Sequence, residues 1–354
     1  MKLGDQKVQQ EGKARRSPVS RAMAVQSVGR VSAAIGAQNL SLLIVLIALA
    51  ALITSQTPDF LLAGNLENIG LAVALLGLVS MGQTVVIVSG GLDISVGSIV
   101  GLASVTAALV VATTGNALAG VVAGIAAGAI AGAFNGGIIT IGRINPVITT
   151  LATLSVFRGL GFLITNGSAV SVSNVAFDNL GSGSIGIVPI PIAILLLVVA
   201  AFFIFLRFTD IGRNIYAMGG NPVAARLAGL NLDRYKLGIY TLSGLIAGIA
   251  AIILTARTTS GQPASGSAGL ELESITAAVL GGSALTGGKG TVIGTFLGVL
   301  ILGELDNGLI LLNVPTFYQL VARGSLLLIA VLVQEFRARR PGFFLKLWGR
   351  MTTR

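Results

Sequence analysis

Read for polarity, the chain is a succession of apolar runs separated by short polar breaks. The runs cover residues 39–54, 67–89, 95–113, 117–141, 145–165, 188–206, 237–256, 271–287, 290–312 and 317–334. Most come close to the roughly 20 residues a helix needs to cross the hydrocarbon core of a bilayer. The pattern predicts an all-α polytopic membrane protein with about ten transmembrane helices. Two places are irregular. The run 271–287 is short and glycine-rich, which predicts a re-entrant or broken segment. The break from Gly90 to Ile94 is so brief that its turn is expected inside the membrane.

Composition sharpens this reading. Of the 354 residues, 54% are hydrophobic and 10% charged, with mean hydropathy +0.91. Soluble domains carry roughly 25% charged residues. The 48 glycines and 5% aromatic content suit close-packed helices rather than an outer-membrane barrel with aromatic girdles. There is no cysteine and no histidine. Disulfides, thiolate metal sites, cysteine nucleophiles and histidine acid–base catalysis are therefore excluded, and no metal site or nucleophile–base constellation is expected.

The net charge of +10 is unevenly spread. Of 23 Lys and Arg, 7 lie in residues 1–35, 5 in the loop 207–236 and 6 after Glu335. The loops 55–66 and 166–187 hold none. With ten spans, the positive-inside rule puts both termini and the loop 207–236 in the cytoplasm. The domain reading is a basic tail (1–35), a membrane domain (36–334) and a second basic tail (335–354). The polar lead before residue 39 is too long for a secretory signal peptide. Basic charge then serves topology and attraction to anionic lipid headgroups; no basic face interleaved with aromatics points to nucleic acid.

Gly120, Gly124, Gly128, Gly132 and Gly136 recur every fourth residue, and Gly290, Gly294 and Gly298 repeat the spacing. Such a stripe lets another helix backbone approach closely, for packing or for gliding. Gly181, Gly183 and Gly186 spell G-x-G-x-x-G outside any strand-to-helix context, so no dinucleotide site follows. Gly287-Gly288-Lys289-Gly290 resembles a P-loop ending but lacks its first glycine and its Ser or Thr. Any ATP must be bound by another subunit.

Asp93 is the most informative charge at membrane depth, within Ser89–Ser98 (SGGLDISVGS). A carboxylate there costs several kcal/mol unless it meets water or a partner. It either caps the helix beginning near Ser95, lines a polar pathway, or does both. Val88–Gly91 is echoed by Val279–Gly282, and Gly97–Gly101 by Gly290–Gly294, an internal repeat of the kind that relates transporter halves. Glu304 and Asp306 fall in the ninth run, and Arg158 and Arg323 call for ion pairs whose partners the sequence does not give. In the loop, Asn221 and Pro222 open a short helix over Val223–Ala228 that Gly229 ends. It reads equally as a docking element for a partner groove or as a connector on the membrane.

These motifs, in this order, resemble the membrane permease subunit of bacterial ABC importers for sugars of the ribose, xylose, arabinose and galactose type. The resemblance spans about 58–334. It rests on SGGLDISVGS, Gly142–Pro146 (GRINP), Thr165–Ser168 (TNGS) and Gly212–Gly229 (GRNIYAMGGNPVAARLAG). Gly261-Gln262-Pro263, Glu271–Gly282 (ELESITAAVLGG) and Gly287–Gly294 (GGKGTVIG) complete it. The resemblance implies an inner-membrane permease working as a dimer, a homodimer by first expectation. It would pair with a cytoplasmic ABC ATPase that binds ATP and a periplasmic sugar-binding protein that delivers substrate. It makes Asp93, Ser95, Ser98 and Asn145 candidates for the translocation pathway. Gly219, Gly220, Asn221, Ala224, Ala225, Leu227 and Gly229 become candidates for ATPase coupling, although Pro222 and Val223 depart from the usual acidic and small residues. The expected activity is alternating-access import of a monosaccharide, with a pentose such as ribose the leading substrate. The rivals are an ion-coupled sugar carrier using Asp93, Glu304 or Asp306, and a scaffold without transport.

Overall fold

The computed structural model describes residues 18–264 and 267–339. The chain divides into two compact units, Met1–Ser41 and Leu42–Arg354. In the first, the described element is the leading part of α1 (Pro18–Gln56). Helix therefore begins inside the stretch expected as a tail; residues 1–17, and the second tail from residue 340, lie outside the described residues.

From α1 the chain passes a 3-10 turn (Pro58–Leu61) into α2 (Ala63–Val88), α3 (Val96–Thr114), α4 (Ala117–Ile141) and α5 (Pro146–Thr165). A connection with β1 (Val170–Ser171), α6 (Val175–Ser182), β2 (Ser184–Ile185) and β3 (Val188–Pro189) leads to α7 (Ile190–Phe208). Then come α8 (Asp210–Gly220), α9 (Pro222–Leu227), α10 (Leu232–Thr258), β4 (Ser260–Gly261), α11 (Leu270–Leu280), α12 (Val292–Leu311) and α13 (Thr316–Arg339). The two-residue strands pair antiparallel, β1 with β4 and β2 with β3.

The all-α polytopic reading holds. Among the described residues, 8 helices are long and apolar enough to cross a membrane, with a shorter apolar stretch at Thr316–Leu332 in α13. The expected span 271–287 does not exist as one helix: α11 stops at Leu280 after 11 residues. Irregular backbone precedes it. Gly261 lies against Ser104 and Val105, Gly101 against Pro263, and Gly97 against Ser267 and Glu271, so this chain descends α3 turn by turn. Unwound backbone is tolerated at such depth because it is packed in protein, with the Gln262 amide bonded to Ser104 Oγ at 3.3 Å.

Short polar side chains start most helices. Asn116, Asn145, Asn174, Asn231 and Thr291 each accept a hydrogen bond from an amide in the first turn of α4, α5, α6, α10 and α12. These bonds use amides that no helical carbonyl can reach. Asn221 does the same for α9, where Pro222 fills the first position as the sequence predicts.

The centre is built from α2, α3 and α10, while α4, α5 and α7 turn broad apolar faces outward. Interhelical packing runs through the glycine stripe. A Cβ at Gly128 would collide with the Gly244 carbonyl, and one at Gly132 with the Tyr240 carbonyl, both on α10. Gly120 and Gly124 meet Ala107 of α3. The later stripe seats Gly294 and Gly298 of α12 on Gly281 and Ala277 at the end of α11.

Gly132→Ala should therefore lower stability by about 2 kcal/mol, the usual cost of overpacking a tight contact. Gly137→Ala, on the same helix with nothing within 4 Å of an added Cβ, should be neutral or slightly stabilising. Thermal denaturation of the two variants in detergent, followed by size-exclusion chromatography, checks the difference; equal midpoints would mean that α4 does not pack as described.

Candidate functional site

Three chain reversals meet backbone to backbone beneath α9. The first ends α2. Ser89 caps that helix, Gly90 takes φ +84°, and the Gly90 and Gly91 amides return to the Ile87 and Val86 carbonyls at 2.9 and 3.0 Å. The second ends α11 with the same motif: Gly282 takes φ +94°, and the Gly282 and Ser283 amides bond Val279 and Ala278, each at 2.9 Å. This paired bonding is the Schellman arrangement, which needs a residue that tolerates positive φ. The structural equivalence is Gly90 with Gly282, one residue on from the sequence echo, because the motif aligns on the left-handed residue and not on the first glycine.

The third element is the end of α8. A Cβ at Gly219 would meet the Val88 carbonyl and the Gly288 amide, and one at Gly288 would meet Gly220. Gly287 likewise stands against Gly219 and Gly90. The Gly288 amide bonds the Val88 carbonyl at 2.8 Å, and Tyr216 Oη on α8 donates to the Gly290 carbonyl at 2.8 Å. Burial pushes the Tyr216 phenol above its ordinary range, with Arg207 pulling the other way. The P-loop-like run continues the chain from the second reversal and is the part that touches the other two, and its Gly288 amide is already used on Val88.

Beyond this junction the chain enters α9. Its coupling candidates separate cleanly. Asn221, Ala224, Leu227 and Gly229 are exposed, Leu227 at 85%, and Val223 stands out beside them. Ala225 faces inward at 5%, and Gly219 is buried in the junction.

The pathway candidates fall in two places. Asp93, Ser95 and Ser98 are fully buried. Asp93 Oδ1 accepts from the Ser95 amide at 2.9 Å and from Ser95 Oγ at 2.7 Å, while Ser243 Oγ lies 3.5 Å from Oδ2. Ser95 Oγ also accepts from Asn135 Nδ2 at 2.7 Å. The carboxylate therefore serves the amide just ahead of α3 and closes a chain from α4 to α10. Ser98 donates back to the Ser95 carbonyl. Asn145 stands apart, exposed, spending its carbonyl on the Val147 amide.

The partners of the two membrane arginines are the acidic residues of the first turn of α11. Arg158 of α5 lies 3.7 Å from Glu271, and Arg323 of α13 holds Glu273 at 2.5 Å and Asp306 of α12 at 2.7 Å. The half-helix is clamped from both sides. Sequence reasoning missed Asn135, Ser243 and both glutamates. Asn135, and Gln83 in α2, were visible as lone amides in apolar runs, a costly choice that flags a buried polar role. Gln83 is fully buried and its amide makes no side-chain hydrogen bond among the described residues. Among those residues no group of three or more Asp or Glu converges as a metal site would require.

A bundle of membrane-crossing helices with a broken crossing, helix ends joined through glycine and an exposed helix on a loop defines a membrane permease. Comparison with known proteins specifies which kind. Residues 65–331 match the family described as "Branched-chain amino acid transport system / permease component", and the chain belongs to that family. The ribose import permease RbsC of Bacillus subtilis (strain 168) is 42% identical over 84% of this chain and 93% of its own length. RbsC of Escherichia coli (strain K12) is 42% identical over 83% and 92%. The L-arabinose ABC transporter permease AraH of Azospirillum brasilense is 41% identical over 84% and 87%. No solved structure matches the chain.

Arg323→Gln should cost about 2 kcal/mol, because Glu273 and Asp306 would keep their charges without the guanidinium between them. Adding Glu273→Gln and Asp306→Asn should recover most of the loss. Melting midpoints of the single and triple variants decide this; a triple variant no more stable than the single one would show that the clamp is not an ion-pair triad.

Proposed function

We propose that this chain is the membrane subunit of an ATP-driven importer of a monosaccharide, with a pentose such as ribose or arabinose as substrate. The family description mentions amino acids, but the relatives sharing 41–42% identity over most of both chains carry ribose and arabinose in their names. The observation that supports the mechanism is the glycine junction. α9 continues directly from α8, and α8 rests by backbone contact on the end of α2 and on the Gly287–Gly288 turn that follows α11. A push on α9 from a cytoplasmic ATPase carrying two nucleotide-binding modules would reach both turns together.

In this reading the α9 face is cytoplasmic, as are both termini, because the basic loop 207–236 lies there. A second copy of the chain completes the pathway, and a periplasmic binding protein supplies sugar and most of the selectivity. The buried Asp93–Ser95–Ser243 set braces the start of α3, and substrate passes over the modestly polar surfaces that alternating access exposes. For the ion-coupled alternative, Asp93 and Asp306 each already have a donor on Oδ1, which leaves Glu304, whose Oε2 is buried without a hydrogen-bond partner among the described residues, as its remaining candidate.

Ala224→Glu should leave the protein in the membrane and lower sugar uptake at least about ten-fold, the scale on which one buried charge disturbs an interface. ATP hydrolysis by the co-purified ATPase should continue. Ala225 is unsuitable for this test because its methyl is packed inside. Wild-type uptake by Ala224→Glu would refute the coupling role of α9. Purification of the tagged chain in mild detergent, with mass spectrometry of its companions, should recover an ABC ATPase. Its repeated absence, from membranes that express one, would overturn the ATP-driven reading.

A further inference from the structure

The ends of α4 and α5 and the start of α10 enclose an open groove of about 790 Å³. Arg143, Arg226 and Lys236 line it, opposed by the single carboxylate of Asp233. Arg143 stands in the α4–α5 turn with φ +52°, Arg226 on α9 and Lys236 in the first turns of α10. None of the three cations makes a side-chain hydrogen bond or ion pair among the described residues, whereas Arg158 and Arg323 do have carboxylate partners. The groove is therefore a concave basic surface whose charge the chain itself leaves uncompensated.

Its level in the fold indicates what compensates it. Ile141, Pro146 and Leu232 are the terminal residues of three membrane-crossing helices, so the groove opens where those helices leave the bilayer. Exposed apolar side chains accompany the lining: Ile144 within it is 44% exposed, and Ile141, Ile148 and Leu237, each within two residues of a lining residue, are 87%, 63% and 41% exposed. Cations at headgroup depth beside exposed apolar side chains match a ligand with a phosphodiester at one end and hydrocarbon at the other. Guanidinium groups bind phosphate oxygens through paired N–H donors, and basic pockets between helices at the cytoplasmic side hold anionic headgroups.

We propose that this groove is a binding site for one anionic phospholipid, with its phosphate between Arg143 and Lys236 and its acyl chains along Ile148 and Leu237. An acidic segment of a partner protein would need the charge but not the apolar side chains. The proposal does not depend on which protein meets α9.

The test uses the full-length chain, stripped of lipid in detergent and titrated with phosphatidylglycerol or phosphatidylcholine of identical acyl chains, with bound lipid counted by native mass spectrometry. Wild type should prefer phosphatidylglycerol by about ten-fold, and Arg143→Gln with Lys236→Gln should lose most of that preference. Arg143→Lys, which keeps the charge but not the paired donors, should retain part of it, and Arg257→Gln, a cation outside the groove, should keep it in full. If the double variant does not run as a single species on size exclusion, Lys236→Gln alone is read in the same way. The proposal falls if the double variant retains the wild-type preference, or if wild type shows none. It also falls if millimolar inorganic phosphate displaces the lipid, since the site would then take free phosphate. Loss of a co-purifying protein with unchanged lipid preference would assign the groove to that partner instead.

Discussion

Everything in this fold depends on how closely one peptide backbone can approach another where water is absent. Between helices in lipid the hydrophobic effect gives little attraction, so dispersion and close fit must supply it. Glycine provides the fit. Gly128 and Gly132 bring α4 onto α10 at Gly244 and Tyr240, and Gly219, Gly287 and Gly90 bring three turns together with no side chain between them. Neither set of contacts would survive a methyl group. The structure is held by surfaces from which side chains have been removed, which is why 48 glycines are compatible with a rigid core.

The second constraint is electrostatic. Charges at membrane depth are stable only in company, and here that company comes from neighbouring helices. Arg158 and Arg323 hold the two glutamates that open α11, and Ser95 gives Asp93 two donors. These bonds fix the position of a helix that could not cross the membrane by itself. They also explain how an unwound segment can lie against α3 without collapsing into a continuous helix: the start of α11 is held in place at Glu271 and Glu273.

The kind of helix, and the place of eight of the ten expected crossings, were legible in the sequence because hydrophobic length is a one-dimensional signal. So were the caps, for Asn221 and Pro222 are adjacent and their chemistry is local. Register and partnership were not. The match of Gly90 to Gly281 was off by one, since only backbone torsion reveals that Gly282 carries the positive φ. A re-entrant or broken segment at 271–287 was expected from its glycines, yet the descent of Gly261 and Pro263 along α3 ahead of it depends on contacts more than 150 positions apart in the chain. Asn145, a pathway candidate from its motif, also caps the start of α5, a contact that follows from a polar side chain standing next to Pro146.

The half-helix has one more consequence. Gly269, at its head, takes φ +94° and has room for an added Cβ, while its tail is locked at Gly281 against Gly294. Short, stiff, packed backbone to backbone at its tail and held at its head by side-chain salt bridges, α11 has the layout of a lever whose fulcrum lies among the glycine turns. Under the proposed coupling, a shift of a fraction of an ångström at the tail would be magnified at Glu271 and Glu273, so the salt bridges there would work as a latch that sets how much force each stroke must deliver.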